Sequence, residues 1–575
     1  MTPPLFDRAD LLALLHKRVS GFQAGYRQNL ALIGPAGRGK SALIRRFLQE
    51  ETQPGSLILP LYLEVSAEEE VYEWIGRFLR TVLYAVLQLK KMDSFPTRLP
   101  ELLEVCEGLV PRTAALGSRV AGLAEGGRLD EAYDCIWDLS HLLTQETGHR
   151  VLLVLDEFHR LRGLAVREPF HSLGRKIMVQ PTTLYLLASS EPAVACSILG
   201  EGLALLFGKF ESIEVPPLAA AACRKAIRSI RPDQPMDPWL EYLLMDLAQG
   251  EPHRLNLLLE ALGRLPRDAE PGDSDHAALQ LLEVLFLDPD SSLRREFENR
   301  LRLLPAQRNR MLCVQILEIV ASGVHRLPQI AEQAQKPAAP VSRALQLLQE
   351  GRLLKKEGAF YRIPEQLLQA WLITAYPILQ GVALMGPVQA QAHFRRAVRA
   401  WMEKTRQAAG RPMEEQLHQL LLRWSDEVVE LDGHRTLLPK FQRVERVPGP
   451  LDRVSLLARP VKRQKSGWWV VPWLGPLDEG QARQLVQELR GFVPLRKYRK
   501  VLVGAFPAEV NARLVLQEAK VRLWDLSLFN QMLELYGLAR LPVPEGAEDR
   551  LAQTICLQEE APLQKSGEHS SEVAG

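Results

Sequence analysis

The chain has 575 residues, 46% hydrophobic and 24% charged, with a net charge of +2. That length sets a prior of about three or four domains and allows a sizeable core. The near-neutral balance excludes a partner selected by bulk charge, so only local patches can speak. The six cysteines (Cys106, Cys135, Cys196, Cys223, Cys313 and Cys556) form no C-x-x-C pair and no metal-ligand spacing. Most sit in apolar runs, as buried thiols of a reducing compartment do. The opening MTPPLFDRAD carries acid and proline without an apolar signal core. No stretch approaches about 18 uninterrupted apolar residues. A cytoplasmic protein without membrane contact is expected.

The first 275 residues alternate between strand and helix signals. The strand runs are Asn29–Ile33, Leu57–Val65, Val151–Leu155, Thr183–Ala188 and Ser212–Val215. Amphipathic helices lie between them, and the segment from Glu68 to Glu146 reads as helical. This alternation predicts a parallel sheet covered on both faces.

Directly after the first strand comes GPAGRGKS, residues 34 to 41, which fits G-x-x-x-x-G-K-[ST]. A helix follows, with Leu43, Ile44, Phe47 and Leu48 on one side. A triphosphate concentrates negative charge on closely spaced oxygens. Binding it takes backbone N–H groups converging on one concavity without bulky side chains in the way. The uncapped start of the helix adds further N–H donors and a positive dipole end. The predicted cradle is Gly34, Pro35, Ala36, Gly37, Arg38, Gly39, Lys40, Ser41 and Ala42. Lys40 should reach the β- and γ-phosphates and Ser41 should coordinate Mg²⁺.

The run VLLVLDEFHRL supplies the other half. Asp156 and Glu157 follow an apolar strand, at the end that faces the ligand crevice of an open α/β sheet. Asp156 is expected to hold Mg²⁺ through its water shell, and Glu157 to polarise the attacking water. The next strand ends LLASSEP, which puts Ser189 or Ser190 beside the γ-phosphate as a polar sensor.

Five stretches resemble the AAA-related ATPases of the STAND and archaeal-type ATPase clade, cousins of the origin-recognition initiators. They are FDRADLLALL (Phe6–Leu15), GPAGRGKS, LLVLDEF, LLFGKFESIEVPPL (Leu205–Leu218) and GEPHRLNLLLEALG (Gly250–Gly263). The resemblance implies an ASCE-type P-loop ATPase core over residues 1–218 with a helical lid over 219–275. It implies Arg254 as a sensor of the γ-phosphate in cis. Two departures stand out. Asp7-Arg8-Ala9 replaces the usual Gly-Arg-Glu near the adenine, and Lys209 stands where relatives carry an arginine that acts on a neighbour's nucleotide. A lysine lacks the bidentate fork.

Residues 303–375 read as a winged helix: helices at Ala306–Ala321, Leu327–Gln335 and Pro340–Gln349, then a hairpin turning at Glu357-Gly358. From 302 to 362 there are ten basic and four acidic residues, a net of +6 against +2 for the chain. Such a surface suits a phosphate backbone, with Ser342, Arg343, Lys355 and Lys356 as the natural contacts. The alternative is a winged helix used for protein contact.

The last domain, 390–545, begins with a helix at Arg411–Trp424. Strand runs follow at Glu427–Leu431, Arg453–Ala458, Gly467–Trp473 and Lys500–Phe506. The order resembles the PD-(D/E)XK restriction-endonuclease-like fold, which implies metal-held carboxylates and a lysine. Glu414 or Glu415 and Asp452 could serve, but the strand that should carry the motif reads GWWVVPWLG, without acid or lysine. A degenerate nuclease domain is expected, with Trp468, Trp469 and Trp473 in its core and interfaces. Residues 546–575 are expected to be disordered.

The expected whole is an ATP- and Mg²⁺-binding, slowly hydrolysing switch. Nucleotide state would govern binding of double-stranded DNA, a protein partner or a second copy of the chain. The rival is a STAND-type signalling scaffold with ATP as a structural ligand and no DNA.

Overall fold

The structure, a computed structural model, describes residues 8–542 except 53–55, 93–94, 204–209, 231–235, 266–273, 305–306, 432–433, 462–466, 493–496 and 507. The expected tail 546–575 and Lys209 lie outside the described residues. The chain divides into two compact units: Met1–Leu218 with Gly250–Asn256, and Ala219–Gln249 with Leu257–Gly575.

In the first unit, strands β1 (Asn29–Ile33), β2 (Ile58–Glu64), β3 (Arg150–Asp156), β4 (Thr183–Ser189) and β5 (Phe210–Glu214) form one sheet. Its order is β2-β3-β4-β1-β5 and its pairings are parallel. Strands buried on both faces read as continuous apolar runs, which is why they were visible in the sequence. The period of two still sorts the residues. Leu30, Leu32, Leu152, Val154 and Leu186 pack with Val19, Phe22, Leu43, Ile44 and Phe47 from helices Ala9–Gln23 and Lys40–Glu51. Ala31, Leu153, Leu155, Tyr185 and Leu187 join a second core with Trp74, Phe78, Tyr133 and Trp137.

That second core is built by the segment between β2 and β3. It forms helices Val71–Leu89, Leu99–Glu107, Pro111–Glu125, Leu129–Ile136 and Asp138–Thr147. The Trp74 ring lies 5.5 Å from Phe78, 5.3 Å from Tyr133 and 5.4 Å from Trp137, within the range of favourable tilted aromatic pairs.

The strand order interposes β4 between β1 and β3, so three C-terminal strand ends lie side by side. Gly34 N–H donates to the Ser189 carbonyl at 3.3 Å, and Val215 N–H to the Ile33 carbonyl at 2.8 Å. The sheet thus presents Gly34, Ser189 and Asp156 along one edge.

The second unit contains helices Ala220–Ser229 and Pro238–Ala248, joined by Arg224 and Arg228 on Glu241, each at 2.7 Å. Further along come helices Gln307–Ala321, Leu327–Gln333 and Ala338–Glu350, then the antiparallel pair β6 (Lys355–Glu357) and β7 (Phe360–Arg362). Val341, Ala344, Leu345 and Leu348 are the buried stripe of the third helix.

The hairpin packs against the next domain. Gly358 sits at φ +62, and a Cβ there would collide with the Val428 carbonyl oxygen and stand 3.3 Å from Val429 Cα, on strand β8 (Glu427–Leu431). Phe360 is buried in one core with Trp424, Val429 and Tyr536. Arg326 stacks 5.1 Å from the Phe360 ring and 5.6 Å from the Tyr536 ring, and pairs with Glu427. Glu357 is buried and accepts from Arg362 at 3.0 Å and Gln531 at 3.2 Å, with Lys355 at 2.8 Å. Burial alone would raise its pKa, but Arg362 and Lys355 hold it at about 2.

Strand β9 (His434–Leu438) pairs with β8. Strands β10 (Phe441–Pro448), β11 (Val454–Pro460), β12 (Trp468–Trp473), β13 (Arg499–Gly504) and β14 (Arg522–Trp524) lie in sequential order. The first three are antiparallel, and the last two are added in parallel. Helices Met413–Arg423 and Leu526–Leu535 cover one face. Helices Glu479–Gly491 and Val510–Glu518 cover the other. Strand β12 is buried throughout. Trp468 enters one core and Trp469 the other.

Several elements had no sequence expectation, among them one strand and one long helix. Strand β10 buries only Phe441 and Val444, and its register shifts between Phe441 and Arg443. An irregular edge strand blurs the period-two signal. Helix Pro387–Ala409 buries Ala390, Phe394, Val398 and Met402 in a narrow stripe. Among the described residues, no helix is long and apolar enough to cross a membrane.

Candidate nucleotide site

Gly37 and Gly39 adopt φ +83 and +84, the left-handed region that favours glycine. Space is equally restrictive. A Cβ on Gly34 would lie 3.0 Å from the Val215 carbonyl oxygen. One on Gly37 would meet Glu251 Oε2 at 3.1 Å, and one on Gly39 would meet Pro252 Cγ at 3.3 Å. Gly39 is the N-cap of helix Lys40–Glu51 and offers no side-chain cap, so the first amides of that helix are left for a ligand.

Lys40 is 4% exposed, and its Nζ donates to the carbonyls of Gly34 at 2.7 Å and Pro35 at 2.9 Å. Burial lowers its pKa, against the pull of Glu157 and Asp156. A desolvated ammonium resting on two carbonyls is poised to exchange them for phosphate oxygens. Ser41 is half-buried in the first turn, as is Ala42. Arg38 keeps Nε and Nη1 buried without a hydrogen-bond partner. Pro35 and Ala36 form the exposed crest.

Asp156 ends β3, fully buried. Its Oδ2 accepts from the Tyr62 hydroxyl at 2.9 Å and its Oδ1 from the Glu157 amide at 3.0 Å. Burial and Asp156 both push the Tyr62 pKa up, which keeps that hydroxyl a donor. Glu157 adopts φ +55. Its Oε2 accepts from the Ser190 amide at 3.0 Å and the Ser190 hydroxyl at 2.7 Å. Ser189 instead places its hydroxyl 2.9 Å from His159 Nδ1. Both serines expected beside the γ-phosphate therefore bond within the protein, Ser190 to Glu157 and Ser189 to His159.

Arg254 is buried in the first turn of helix Pro252–Arg264, two residues after the proline that touches Gly39. Arg8 is 7% exposed and donates to the Pro216 carbonyl at 2.6 Å and the Arg38 carbonyl at 3.4 Å. The sequence reading assigned no role to Tyr62, His159, Glu251 or this bonding of Arg8. A lone tyrosine in LILPLYLEV and a histidine two residues after Glu157 were the available signals.

Mg²⁺ takes near-octahedral oxygen ligands and usually keeps several waters. Among the described residues, no cluster of three His, Cys, Asp or Glu could hold a metal. The Ser41 hydroxyl and the Asp156 carboxylate are oxygen donors of the kind Mg²⁺ takes.

In the second unit, Ser342, Arg343, Lys355 and Lys356 are all exposed. Lys356 lies 5.6 Å from the Tyr361 ring. Glu414 and Glu415 are half-buried in the first turn of their helix. The side chain of Asp452 lies outside the described residues.

Residues 4–175 match the AAA ATPase domain family. Among solved structures, a Walker-type ATPase of Pyrococcus abyssi is 18% identical, covers 64% of this chain and 97% of its own, and has a TM-score of 0.43. The Aeropyrum pernix ORC1 protein in complex with DNA is 16% identical, with coverages of 64% and 92% and a TM-score of 0.36. The Aeropyrum pernix ORC2 protein is 12% identical, with coverages of 70% and 96% and a TM-score of 0.37. No curated protein matches the chain. The matched domain, the parallel sheet and the glycine cradle define an ATP-binding P-loop domain of AAA type.

Proposed function

We propose that the chain is an ATP-driven switch. It binds ATP on Gly34–Ser41, hydrolyses it slowly, and couples nucleotide state to DNA or a partner through a winged helix at 303–375. The observation that carries this reading is the buried Lys40 at an uncapped helix start after β1, with Asp156 and Glu157 at the end of β3, one strand removed. Gly34–Ala42 hold the phosphates, and Lys40 neutralises them. Ser41 and Asp156 would hold Mg²⁺, which when bound offsets charge developing on the phosphate oxygens. Glu157 takes the proton of the attacking water, and Arg254 senses the γ-phosphate.

The basic surface of 302–362 and the exposure of Ser342, Arg343, Lys355 and Lys356 support a phosphate-backbone ligand. A second reading, a signalling scaffold that binds protein, is favoured by the hairpin tip packed on β8. The antiparallel-then-parallel order of β10–β14, with no acid or lysine on β12, supports a degenerate nuclease-like domain that binds rather than cuts.

Two measurements test the proposal. Titration with ATP should give an affinity weakened about 10- to 100-fold in Lys40→Ala, the loss of one charge-assisted contact; unchanged affinity would refute the site. Binding of duplex DNA across salt concentrations should give a slope that falls by about one for each of Arg343→Ala and Lys356→Ala. Absent or salt-independent retention would leave the protein-binding reading standing.

A further inference from the structure

His159 was given no role in the run VLLVLDEFHRL, yet it is 6% exposed and lies next to the assigned base. Its Nδ1 is 2.9 Å from Ser189 Oγ and 3.4 Å from Glu157 Oε2, and its Nε2 is 3.2 Å from Glu191 Oε1. Burial lowers its pKa against the pull of Glu157 and Glu191, which favours the neutral ring with one N–H. Both ring nitrogens face carboxylates, which only accept; Glu191 is the nearer, at 3.2 Å against 3.4 Å for Glu157, and takes the N–H of Nε2. Nδ1 then accepts from the Ser189 hydroxyl. Ser189 Oγ in turn accepts the Glu191 amide at 3.1 Å. The other course for that hydroxyl proton, to the Glu191 carbonyl, is longer at 3.4 Å. The result is a closed ring of bonds through His159, Ser189 and Glu191.

The ring grips the residues on either side of Ser190. Ser190 donates to Glu157 Oε2 through its amide and its hydroxyl. Nδ1 faces that oxygen as an acceptor and does not donate to it. Glu157 also holds φ +55, a conformation disfavoured for a non-glycine residue, which persists where its surroundings fix it. With Oε2 fixed by Ser190, Oε1 is the oxygen left to take a proton from water. Small displacements of such a group are costly to rate, because the reacting geometry is lost.

We propose that His159 is a positioning residue for ATP hydrolysis, which fixes the β4 exit at Ser189 and Glu191 so that Ser190 aims the Glu157 carboxylate. The inference rests on the reading of Glu157 as base. His159 touches neither nucleotide nor water in this scheme, so its loss should act on kcat and spare ATP affinity.

The test compares His159→Ala, His159→Gln, Ser189→Ala and Glu157→Gln in the full-length chain by ATP titration and steady-state turnover. A glutamine side chain keeps one donor and one acceptor, matching the neutral imidazole. His159→Ala should lose about tenfold in kcat, in line with other residues that orient a reacting group, with ATP Kd unchanged. His159→Gln should recover most of that loss. Ser189→Ala, a smaller change to the core, should lower kcat in the same direction. The proposal is overturned if His159→Ala keeps its turnover, if alanine and glutamine lose it equally, or if kcat and ATP affinity fall together. Should Glu157→Gln itself keep turnover, the base assignment fails and the inference with it; a silent His159→Ala beside a dead Glu157→Gln sinks the inference alone.

Discussion

Exchange of Glu157 for glutamine is expected to cut steady-state ATP turnover by about 10²- to 10⁴-fold, the usual contribution of a positioned general base, while ATP affinity stays within about threefold of the parent. The two readouts separate because the two jobs sit on different elements. In the proposed site, phosphate falls to Gly34–Ser41 with Lys40, after β1. Glu157 follows β3 and bonds to Ser190 after β4. Glutamine is nearly isosteric and can still accept from the Ser190 amide and hydroxyl through its carbonyl oxygen. What it lacks is a second oxygen to take a proton. Loss of ATP binding in this variant would mean that Glu157 contributes to the phosphate site itself. Full turnover would remove it from the chemistry, and the neighbouring Asp156 would have to be reconsidered. DNA added to the parent protein should raise turnover if the winged helix feeds back on the site, and leave it unchanged if the protein-binding reading holds.

Most of the nucleotide site was legible because its chemistry is contiguous. GPAGRGKS supplies the glycines, the lysine and the helix start within one octet, and VLLVLDEF supplies strand and carboxylates together. Four strands of the first sheet were visible as apolar runs and β5 as the short run Ser212–Val215; the structure moves their bounds by at most two residues. What escaped was pairing across long sequence separations. Tyr62 reaches Asp156 over 94 residues, and the Ser190–Glu157 bond spans 33. Propensity and periodicity carry no information on such partners. Ser189 and Ser190 illustrate this: their place at a strand end was readable, but the direction of each hydroxyl depended on His159 and Glu157. Strand β10 was hidden for a different reason, since only two of its residues are buried. The hairpin at 355–362 was readable as a turn, whereas its seat on β8 was not, because Gly358 and Val428 are brought together only by the fold.

That seat sets the other large effect. Gly358→Ala is expected to destabilise the second unit by about 3 kcal/mol, where the left-handed conformation alone costs an alanine about 1–2 kcal/mol and a misfit in a packed core adds about 1–3 kcal/mol. The added methyl would meet the Val428 carbonyl and Val429 Cα, both backbone, so no rotamer change relieves it. The hairpin must lift instead. Lifting exposes Phe360, separates Arg326 from the Phe360 and Tyr536 rings, and opens the cage of Arg362, Gln531 and Lys355 around Glu357. In a thermal melt, a loss of this size should lower the transition of that unit by roughly 5–10 °C. Gly148→Ala provides the reference: it sits at φ +73 with nothing within 4 Å of the added carbon, so only the backbone term remains. Gly148 lies in the first unit, so the two losses are compared as free energies, each from the transition of its own unit; equal losses would mean that the contact with β8 contributes nothing. A larger loss for Gly358→Ala, with unchanged ATP affinity, would establish the hairpin as a structural joint. A lifted hairpin also exposes more basic surface, so any DNA retention should rise in Gly358→Ala rather than fall. A fall would instead tie DNA contact to the packed form of the hairpin.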